Sequence, residues 1–385
     1  MPRPKRGWIA AHLVVILLFV VTVASYYRRG FGFTEFLHLP VDHQDEYELP
    51  AVRSVPHVEN QDGGYDGQFY ARLALDPLLK DPAIDRTLDL PGYRARRILF
   101  SWTAYLAGLG RPTWVLEAFA LQNVVVWLLF ARILLIWFPI GSGRSFGLWA
   151  ACLLTHGMLS SVSNALLDAP SALLLTLAGL SSEHGRPWLT SVVLGIAGLG
   201  RETNLLGSTM LMRFAGPSPR QILRLIGWLV IAVAPAALWL DYLRSIYRSG
   251  AFATAGVMTT PLTGFVWKLS TILRDVRASG LTAGAIFDMC VVVAFVLQVG
   301  YVVWLAFSTW RDRSPWLLLA ISFGALAVFA HRDVWAGSPA AITRVTLPMT
   351  LAFNVLARRA SWPTLVFGNA TVLPGLMSFV FRIYK

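Results

Sequence analysis

Long apolar runs alternate with short, mostly basic connections along nearly the whole of the 385-residue chain. Several of these runs reach the roughly 18–20 residues that a helix needs to cross a bilayer. The pattern predicts an all-α polytopic membrane protein with about eleven transmembrane helices, in a range of about nine to twelve. We expect a single membrane domain that covers 1–385.

The pattern divides this domain into successive parts. They are a first transmembrane anchor at 8–27, an extracytoplasmic loop at 28–112, core helices at 113–240, a second outer loop at 241–282 and C-terminal helices at 283–385. Six prolines between positions 40 and 91 interrupt the first loop, which should therefore hold short juxtamembrane helices and turns. One short helix is expected at 97–109, where the apolar pattern is too short to span a membrane.

Further spans follow the loop. They are expected at 114–138, 145–162, 169–182, 187–213, 221–240, 283–308, 316–331, 340–357 and 363–382. The run 187–213 is interrupted by Gly198, Gly200, Arg201 and Glu202. Because a charged pair inside one span would be costly, we predict two short helices that meet at the outer face.

Charge gives the orientation. Arg3, Lys5 and Arg6 predict a cytoplasmic N-terminus, and other basic residues lie in the short connections, as the positive-inside bias requires. This placement explains the net charge of +12 without a nucleic-acid partner, and membrane lipids are the expected surroundings of a chain that is 56% hydrophobic. Residues 28–96 hold twelve of the 21 Asp and Glu residues, so the first loop is acidic.

This topology collects ionisable side chains at the outer face. They are Asp66, Arg94, Arg96, Arg97, Asp168, Arg201, Glu202, Asp241, His331, Arg332 and Asp333. Ionisable groups at membrane depth are expensive and usually line a cavity or a pathway. The sequence therefore predicts one polar site that opens outward.

Asp66 is the leading candidate for chemistry. It stands between Tyr65 and Gly67, and nearby glycines would let a bulky substrate approach the backbone. Its carboxylate could remove a proton from a hydroxyl group of a substrate. The alternative is a local turn in which the Asp side chain bonds to its own backbone.

Other polar residues also carry two interpretations. Asp168 precedes Ala169 and Pro170 at a helix start, where it could act as an N-cap, belong to the site, or do both. Arginines bind phosphate through charge-assisted hydrogen bonds, but they also contact lipid headgroups, snorkel to the interface or form structural ion pairs. The arginines open to both interpretations are Arg94, Arg96, Arg97, Arg201 (with Glu202), Arg332 and Arg344.

Three short motifs resemble a known family. The segment 65–77 (YDGQFYARLALDP), followed by 93–99 (YRARRIL), is similar to a bacterial branch of the GT-C membrane glycosyltransferases that is linked to cell-surface glycopolymer formation. The segment 164–170 (NALLDAP) resembles an outer-loop acidic motif of the lipid-A aminoarabinose transferase and protein mannosyltransferase relatives. The segment 199–203 (LGRET) resembles a charged break between two short helices in the same branch.

The resemblance implies an inverting hexosyl or pentosyl transferase in the bacterial inner membrane, with a GT-C-like bundle and its active site on the extracytoplasmic face. The donor would be a polyprenyl-phosphate-linked sugar, and the acceptor a glycan or lipid. Asp66 matches the catalytic acid of the first loop, and Asp66 with Asp168 could hold a divalent metal ion. The implied substrate and phosphate contacts are Tyr65, Gln68, Tyr70, Arg94, Arg96, Arg97, Arg201, Glu202, Arg332 and Arg344.

The chain departs from relatives that carry two adjacent acids in the first loop, because Gly67 follows Asp66 and the nearest acid is Asp62. That departure leaves metal use open. Two rival functions also stay open. A transporter or flippase for a lipid-linked saccharide would also use broken helices and buried charge, and a non-catalytic subunit of a glycan assembly complex would tolerate replacement of Asp66.

Overall fold

The computed structural model describes residues 6–41, 48–61, 64–247, 258–309 and 314–382, and most of them are helical. The predictions that concern Arg3, Lys5, Asp62 and the connection at 311–313 lie outside these residues. Two very short strands, β1 (Leu39–Pro40) and β2 (Glu59–Asn60), pair in parallel within the first loop. The protein is therefore an all-α membrane protein, as the apolar pattern predicts.

The helices are numbered in chain order. They are α1 (Arg6–Ala24), α2 (Pro50–Arg53), α3 (Gly67–Leu75), α4 (Ile84–Thr87), α5 (Pro91–Ala95), α6 (Leu99–Ala107), α7 (Pro112–Leu134), α8 (Gly143–Leu154), α9 (His156–Ser163), α10 (Asp168–Glu183), α11 (Pro187–Gly200), α12 (Pro219–Ile246), α13 (Thr263–Ser279), α14 (Ala283–Thr309), α15 (Pro315–Val328), α16 (Arg332–Trp335), α17 (Ile342–Val345), α18 (Leu347–Leu356), α19 (Trp362–Gly368) and α20 (Val372–Phe379). Among the residues that the structure describes, three segments are 3₁₀-helical: Thr34–Leu37, Glu202–Phe214 and Ala357–Arg359.

Within the described residues, four helices are long and apolar enough to cross a membrane: α1, α7, α12 and α14. A fifth span results if α8 and α9, which meet at a 42° bend, are counted together. The predicted total of about eleven is not confirmed. The difference arises because other apolar runs are divided into pieces too short to span alone, such as α11 and α15.

Two of the predicted element boundaries change. The predicted outer loop 241–282 is wrong in part, because α12 continues to Ile246 and α13 occupies Thr263–Ser279. The sequence pattern missed α13 because the helix is amphipathic rather than uniformly apolar. The predicted span 363–382 is divided into α19 and α20, since α19 ends at the C-cap Asn369.

The predicted break in the run 187–213 is confirmed. Helix α11 ends at Gly200, Arg201 has an extended backbone, and a 3₁₀ segment starts at Glu202. Helix α11 packs tightly on α12, because a Cβ atom at Gly195 would lie 2.9 Å from the carbonyl oxygen of Ile231. The break therefore projects two charged side chains from a helix end that is held firmly in the bundle.

A buried arginine holds distant segments of the first loop together. Arg72 of α3 is fully buried, and it donates to the Glu48 carboxylate over 3.0 Å and 2.5 Å and to the Gln68 side chain over 2.7 Å. Ser101 of α6 donates to the backbone carbonyl of Tyr70 over 2.8 Å. Helix α6 confirms the short helix predicted at 97–109. These contacts fix α3, and thereby the loop that carries Asp66.

Candidate active site

A pocket of about 250 Å³ forms where the N-terminus of α3, the end of α5, the start of α10, the end of α11 and helix α17 meet. Its polar lining consists of four arginines, three aspartates and two tyrosines: Arg94, Arg97, Arg201, Arg344, Asp66, Asp168, Asp333, Tyr70 and Tyr93. We call this the charged pocket. It brings together residues from both ends of the chain.

Asp66 presents its carboxylate to the charged pocket. It occupies the N-cap position of α3, yet its side chain makes no capping hydrogen bond, so the local-turn alternative does not describe it. Its Oδ1 accepts a hydrogen bond of 2.9 Å from Arg94 Nη2, and its Oδ2 lies 4.0 Å from Arg344 Nη1. The side chain is 40% exposed. One carboxylate oxygen is thus available to a substrate.

Close backbone contacts set the position of Asp66. A Cβ atom at Gly67 would overlap the carbonyl oxygen of Asn164, which follows α9. A Cβ atom at Gly157 would likewise overlap the carbonyl oxygen of Thr343 in α17. Since only glycine permits both approaches, α3, α9 and α17 come close enough for Asp66 and Arg344 to share one pocket.

Asp168 pairs with an arginine instead of capping its helix. It is the first residue of α10, and Leu167 takes the N-cap position, so the N-cap prediction is wrong. The buried Asp168 carboxylate forms a short ion pair with Arg201, and its other oxygen lies 3.9 Å from Arg344. The pull of two arginines on the carboxylate explains why it turns into the pocket.

The turn that leads to Asp168 is held by a buried amide. Asn123 of α7 donates to the carbonyl oxygens of Ser161 and Leu166, each over 2.8 Å. The Ser161 hydroxyl also accepts a 2.9 Å hydrogen bond from the backbone N–H of Ala169. Buried amides that satisfy backbone carbonyls are costly to remove, so this network keeps the start of α10 in place.

Arg94 already forms ion pairs with two carboxylates. It donates to Asp89 over 2.8 Å and 2.7 Å and to Asp66 over 2.9 Å, and its guanidinium lies 4.5 Å from the centre of the Phe69 ring. Burial alone would lower the pKa of Arg94, but its hydrogen bond with Asp89 and the neighbouring Tyr70 and Asp66 raise the pKa above its ordinary value. Arg94 therefore stays charged and positions Asp66.

Arg97 is also ion-paired, with Glu202. It donates to both oxygens of Glu202 over 2.9 Å and 2.7 Å, to the hydroxyl of Tyr93 over 2.6 Å and to that of Tyr70 over 3.1 Å. Burial opposes its charge, but Tyr70 and Glu202 outweigh burial and raise the pKa of Arg97 well above the ordinary value. The alternative of a structural Arg201–Glu202 ion pair does not describe these residues, since Glu202 pairs with Arg97 and Arg201 pairs with Asp168.

Two arginines retain donor capacity. Arg344 lies between Asp66 and Asp168 at 4.0 Å and 3.9 Å, beyond hydrogen-bond distance from either. Arg201 pairs through Nη1, while its buried Nε has no hydrogen-bond partner within the described residues. An anion that enters the pocket would therefore find free donors on Arg344, beside the positive charge of Arg201.

The remaining predicted residues divide into two groups. Tyr70 lines the charged pocket, whereas Gln68 is buried against Arg72. Arg96 and Arg332 do not line the charged pocket; Arg332 is 63% exposed and lies 3.8 Å from its neighbour Asp333. Arg332 begins the short helix α16 outside the charged pocket, and its phosphate contact stays a prediction.

The sequence reasoning missed Asp89 and Tyr93 as parts of the site, whereas Asp333 was among the ionisable residues expected at the outer face. Asp89 holds Arg94, and Tyr93 holds Arg97. Burial alone would raise the pKa of Asp89, but the hydrogen bond and the charge of Arg94 outweigh burial and lower it. An acid five residues before an arginine in the first loop was the available signal for this pair.

The carboxylates do not form a metal site in this arrangement. No group of three or more His, Cys, Asp and Glu side chains suited to a metal ion occurs in the part of the chain that the structure describes. Arg344 lies between Asp66 and Asp168, and each of these carboxylates also pairs with a second arginine. A divalent ion would have to displace a cation, so the donor set does not fit it.

Comparisons with known proteins leave the family open. No family model matches the chain, and neither the curated proteins nor the solved structures contain a significant match. The resemblance to the GT-C enzymes therefore stays a prediction that rests on the motifs quoted above.

Proposed function

We propose that this protein is a GT-C-like membrane glycosyltransferase that transfers a hexosyl or pentosyl group from a polyprenyl phosphate to a glycan or lipid acceptor. The observation that carries the proposal is the half-exposed carboxylate of Asp66, which faces a pocket that also holds Arg201 and Arg344. We also propose that the helices form a bundle of about eleven spans in a bacterial inner membrane, with the site on the extracytoplasmic face.

The donor phosphate is held by the arginines that retain donor capacity. Arg344 and Arg201 offer N–H groups to the phosphate oxygens, and guanidinium groups bind phosphate in a planar, charge-assisted way. Arg94 and Arg97 stay bound to Asp89 and Glu202, so they position the pocket wall while these carboxylates offset their charge. The lipid chain of the donor lies in the bilayer beside the apolar helices.

The reaction is a single displacement. Asp66 Oδ2 takes the proton of the acceptor hydroxyl as its oxygen attacks the anomeric carbon. The bond between the anomeric carbon and the phosphate oxygen breaks with inversion, and the electron pair leaves with the polyprenyl phosphate. Arg344 and Arg201 stabilise the charge that develops on the leaving phosphate. The proton on Asp66 is then released to solvent, to which this side chain is open.

The first experiment replaces Asp66→Asn in purified protein reconstituted in lipid. The amide keeps the oxygen that accepts from Arg94 but cannot take a proton. We expect transfer from radiolabelled polyprenyl-phosphate sugars to fall by about 10²- to 10⁴-fold, the usual contribution of a general base. The matched control is Asp241→Asn, an exposed aspartate that does not line the charged pocket. Normal transfer by a well-folded Asp66→Asn protein would refute the assignment.

A second pair of variants tests the phosphate contact. Arg344 lines the charged pocket and Arg332 does not, although both carry one charge and lie on the same stretch of chain. Arg344→Gln should lower kcat by about 10²- to 10³-fold, as expected when one charge-stabilising donor is removed. Arg332→Gln should leave kcat unchanged. Equal effects of the two substitutions would contradict the proposed site.

The same assay separates the rival functions. A transporter would move a labelled lipid-linked saccharide between leaflets without forming a glycosidic bond. A non-catalytic subunit would support glycan assembly equally well with Asp66→Asn. If the purified wild-type protein forms product and the Asp66→Asn protein does not, both rival functions are excluded.

A further inference from the structure

A second, larger pocket adjoins the charged pocket. It measures about 630 Å³, and Ala341 and Arg344 line both pockets. We call it the wide pocket. The chain passes from one pocket to the other between consecutive residues, because Tyr65 lines the wide pocket and Asp66 the charged one. A ligand in the wide pocket therefore lies beside the proposed base.

Half of the residues that line the wide pocket carry neutral hydrogen-bonding side chains. Ser160, Ser163 and Asn164 line it from α9 and the turn that follows. His38 and Asn60 line it next to Ser163: His38 Nε2 lies 3.1 Å from the Ser163 carbonyl oxygen, and the Asn60 amide donates to His38 Nδ1 over 2.7 Å. These amide, hydroxyl and imidazole groups suit a ligand with many hydroxyls and no charge.

The charges in the wide pocket largely cancel. Arg28 and Glu35 lie 3.0 Å apart, and Glu59 and Arg344 are the other charged lining residues. The charged pocket, in contrast, contains four arginines and three aspartates. A phosphate is therefore bound better in the charged pocket, and an uncharged polar ligand is suited to the wide pocket.

An aromatic ring completes the wide pocket. Tyr65 is 40% exposed, and the Arg344 guanidinium lies 5.4 Å from the centre of its ring. An accessible aromatic face combined with hydrogen-bonding groups fits the apolar C–H face and the hydroxyl edge of a sugar ring. An acyl chain offers no hydrogen-bonding atoms to this polar lining.

We infer that the wide pocket binds a neutral saccharide, the acceptor end of a glycan, with Tyr65 beneath a sugar ring; this inference rests on the proposed transfer reaction. It selects a glycan over a lipid as the acceptor. The acceptor hydroxyl then reaches Asp66 across the junction formed by Arg344, while the donor phosphate lies in the charged pocket. Both substrates meet without competing for the same donors.

The test measures binding without turnover. The purified protein in lipid nanodiscs is applied to an array of neutral di- to hexasaccharides of glucose, mannose and galactose, and the Kd of the best binder is measured. Tyr65→Leu should weaken this binding by about tenfold, because it removes the ring while keeping an apolar side chain. Tyr27→Leu is the matched control, since Tyr27 is also an exposed tyrosine but does not line the wide pocket. Asp66→Asn should bind the saccharide as the wild type does.

The outcomes separate this inference from the proposed function. Saccharide binding that depends on Tyr65 and not on Asp66 supports the wide pocket, even if no transfer is found. Absence of binding to every saccharide on the array, or equal binding by the Tyr65→Leu and wild-type proteins, overturns it. Transfer to a lipid acceptor at the wild-type rate by Tyr65→Leu would overturn it too, while the proposed transfer reaction would stand.

Discussion

The ion pair between Lys268 of α13 and Asp288 of α14 permits a quantitative prediction. The two side chains are 3% and 7% exposed, and Lys268 Nζ lies 2.6 Å from a carboxylate oxygen of Asp288. The same Nζ donates to the carbonyl oxygen of Gly337 over 2.8 Å. Gly337 belongs to the lining of the wide pocket, so this pair ties the wall of that pocket to two helices. The perturbation is Lys268→Met, which keeps the length of the side chain.

The magnitude follows from burial. At 2.6 Å, the attraction in an effective dielectric of about 20 is roughly 6 kcal/mol, most of which offsets the desolvation of the two ions. Removal of one partner leaves a buried charge alone, so Lys268→Met should lower the free energy of unfolding by about 3–5 kcal/mol. The double variant Lys268→Met with Asp288→Leu removes both charges. It should lose only about 0.5–1.5 kcal/mol, the net value of the hydrogen bond to the exposed Gly337, whose carbonyl can bond to water instead.

Unfolding in mixed detergent micelles with increasing SDS, followed by tryptophan fluorescence, gives these free energies. The double variant should be more stable than Lys268→Met. A double variant that is no more stable than Lys268→Met would refute this prediction. So would a Lys268→Met protein whose free energy of unfolding falls by less than about 1 kcal/mol, which is the range of a solvent-exposed pair. Either result would mean that solvent reaches the pair.

Three further predictions concern the charged pocket and the residues that support it. Gly67→Ala should reduce transfer at least tenfold, because the added Cβ would push α3 away from the Asn164 carbonyl oxygen. The control Gly227→Ala should leave transfer unchanged, because a Cβ atom there meets no atom within 4 Å. Unchanged transfer by Gly67→Ala would show that α3 can shift freely. Transfer should persist in excess EDTA, since the donor set does not fit a divalent ion, and loss of activity restored by Mg²⁺ or Mn²⁺ would contradict this. The pKa of Asp89 is lowered by Arg94 against the effect of burial, so its contribution to stability is present above pH ~4 and is lost as the pH falls further. Unfolding of Asp89→Asn should depend less on pH between about 2 and 5, and an unchanged pH profile would oppose the pairing.

The apolar runs by themselves determined the class of this protein. Their length and composition predict membrane helices, because a helix satisfies its own backbone hydrogen bonds and its apolar side chains are then stable in lipid. The break at Arg201 and Glu202 was also evident in the sequence, since a charged pair interrupts an otherwise apolar run. The exposed position of Asp66 before a short helix agrees with the motif around it. These features depend on neighbours along the chain, which the sequence displays directly.

The tertiary structure decided which charges meet. Arg97 binds Glu202 across 105 positions, and Arg201 binds Asp168 across 33. Adjacent residues such as Arg201 and Glu202 point to different partners, because the extended backbone of Arg201 separates the end of α11 at Gly200 from the 3₁₀ segment that starts at Glu202. Likewise, Arg344 lines both pockets, whereas Arg332 lines neither. Pairing over such distances depends on helix packing, for which a single sequence holds no local signal.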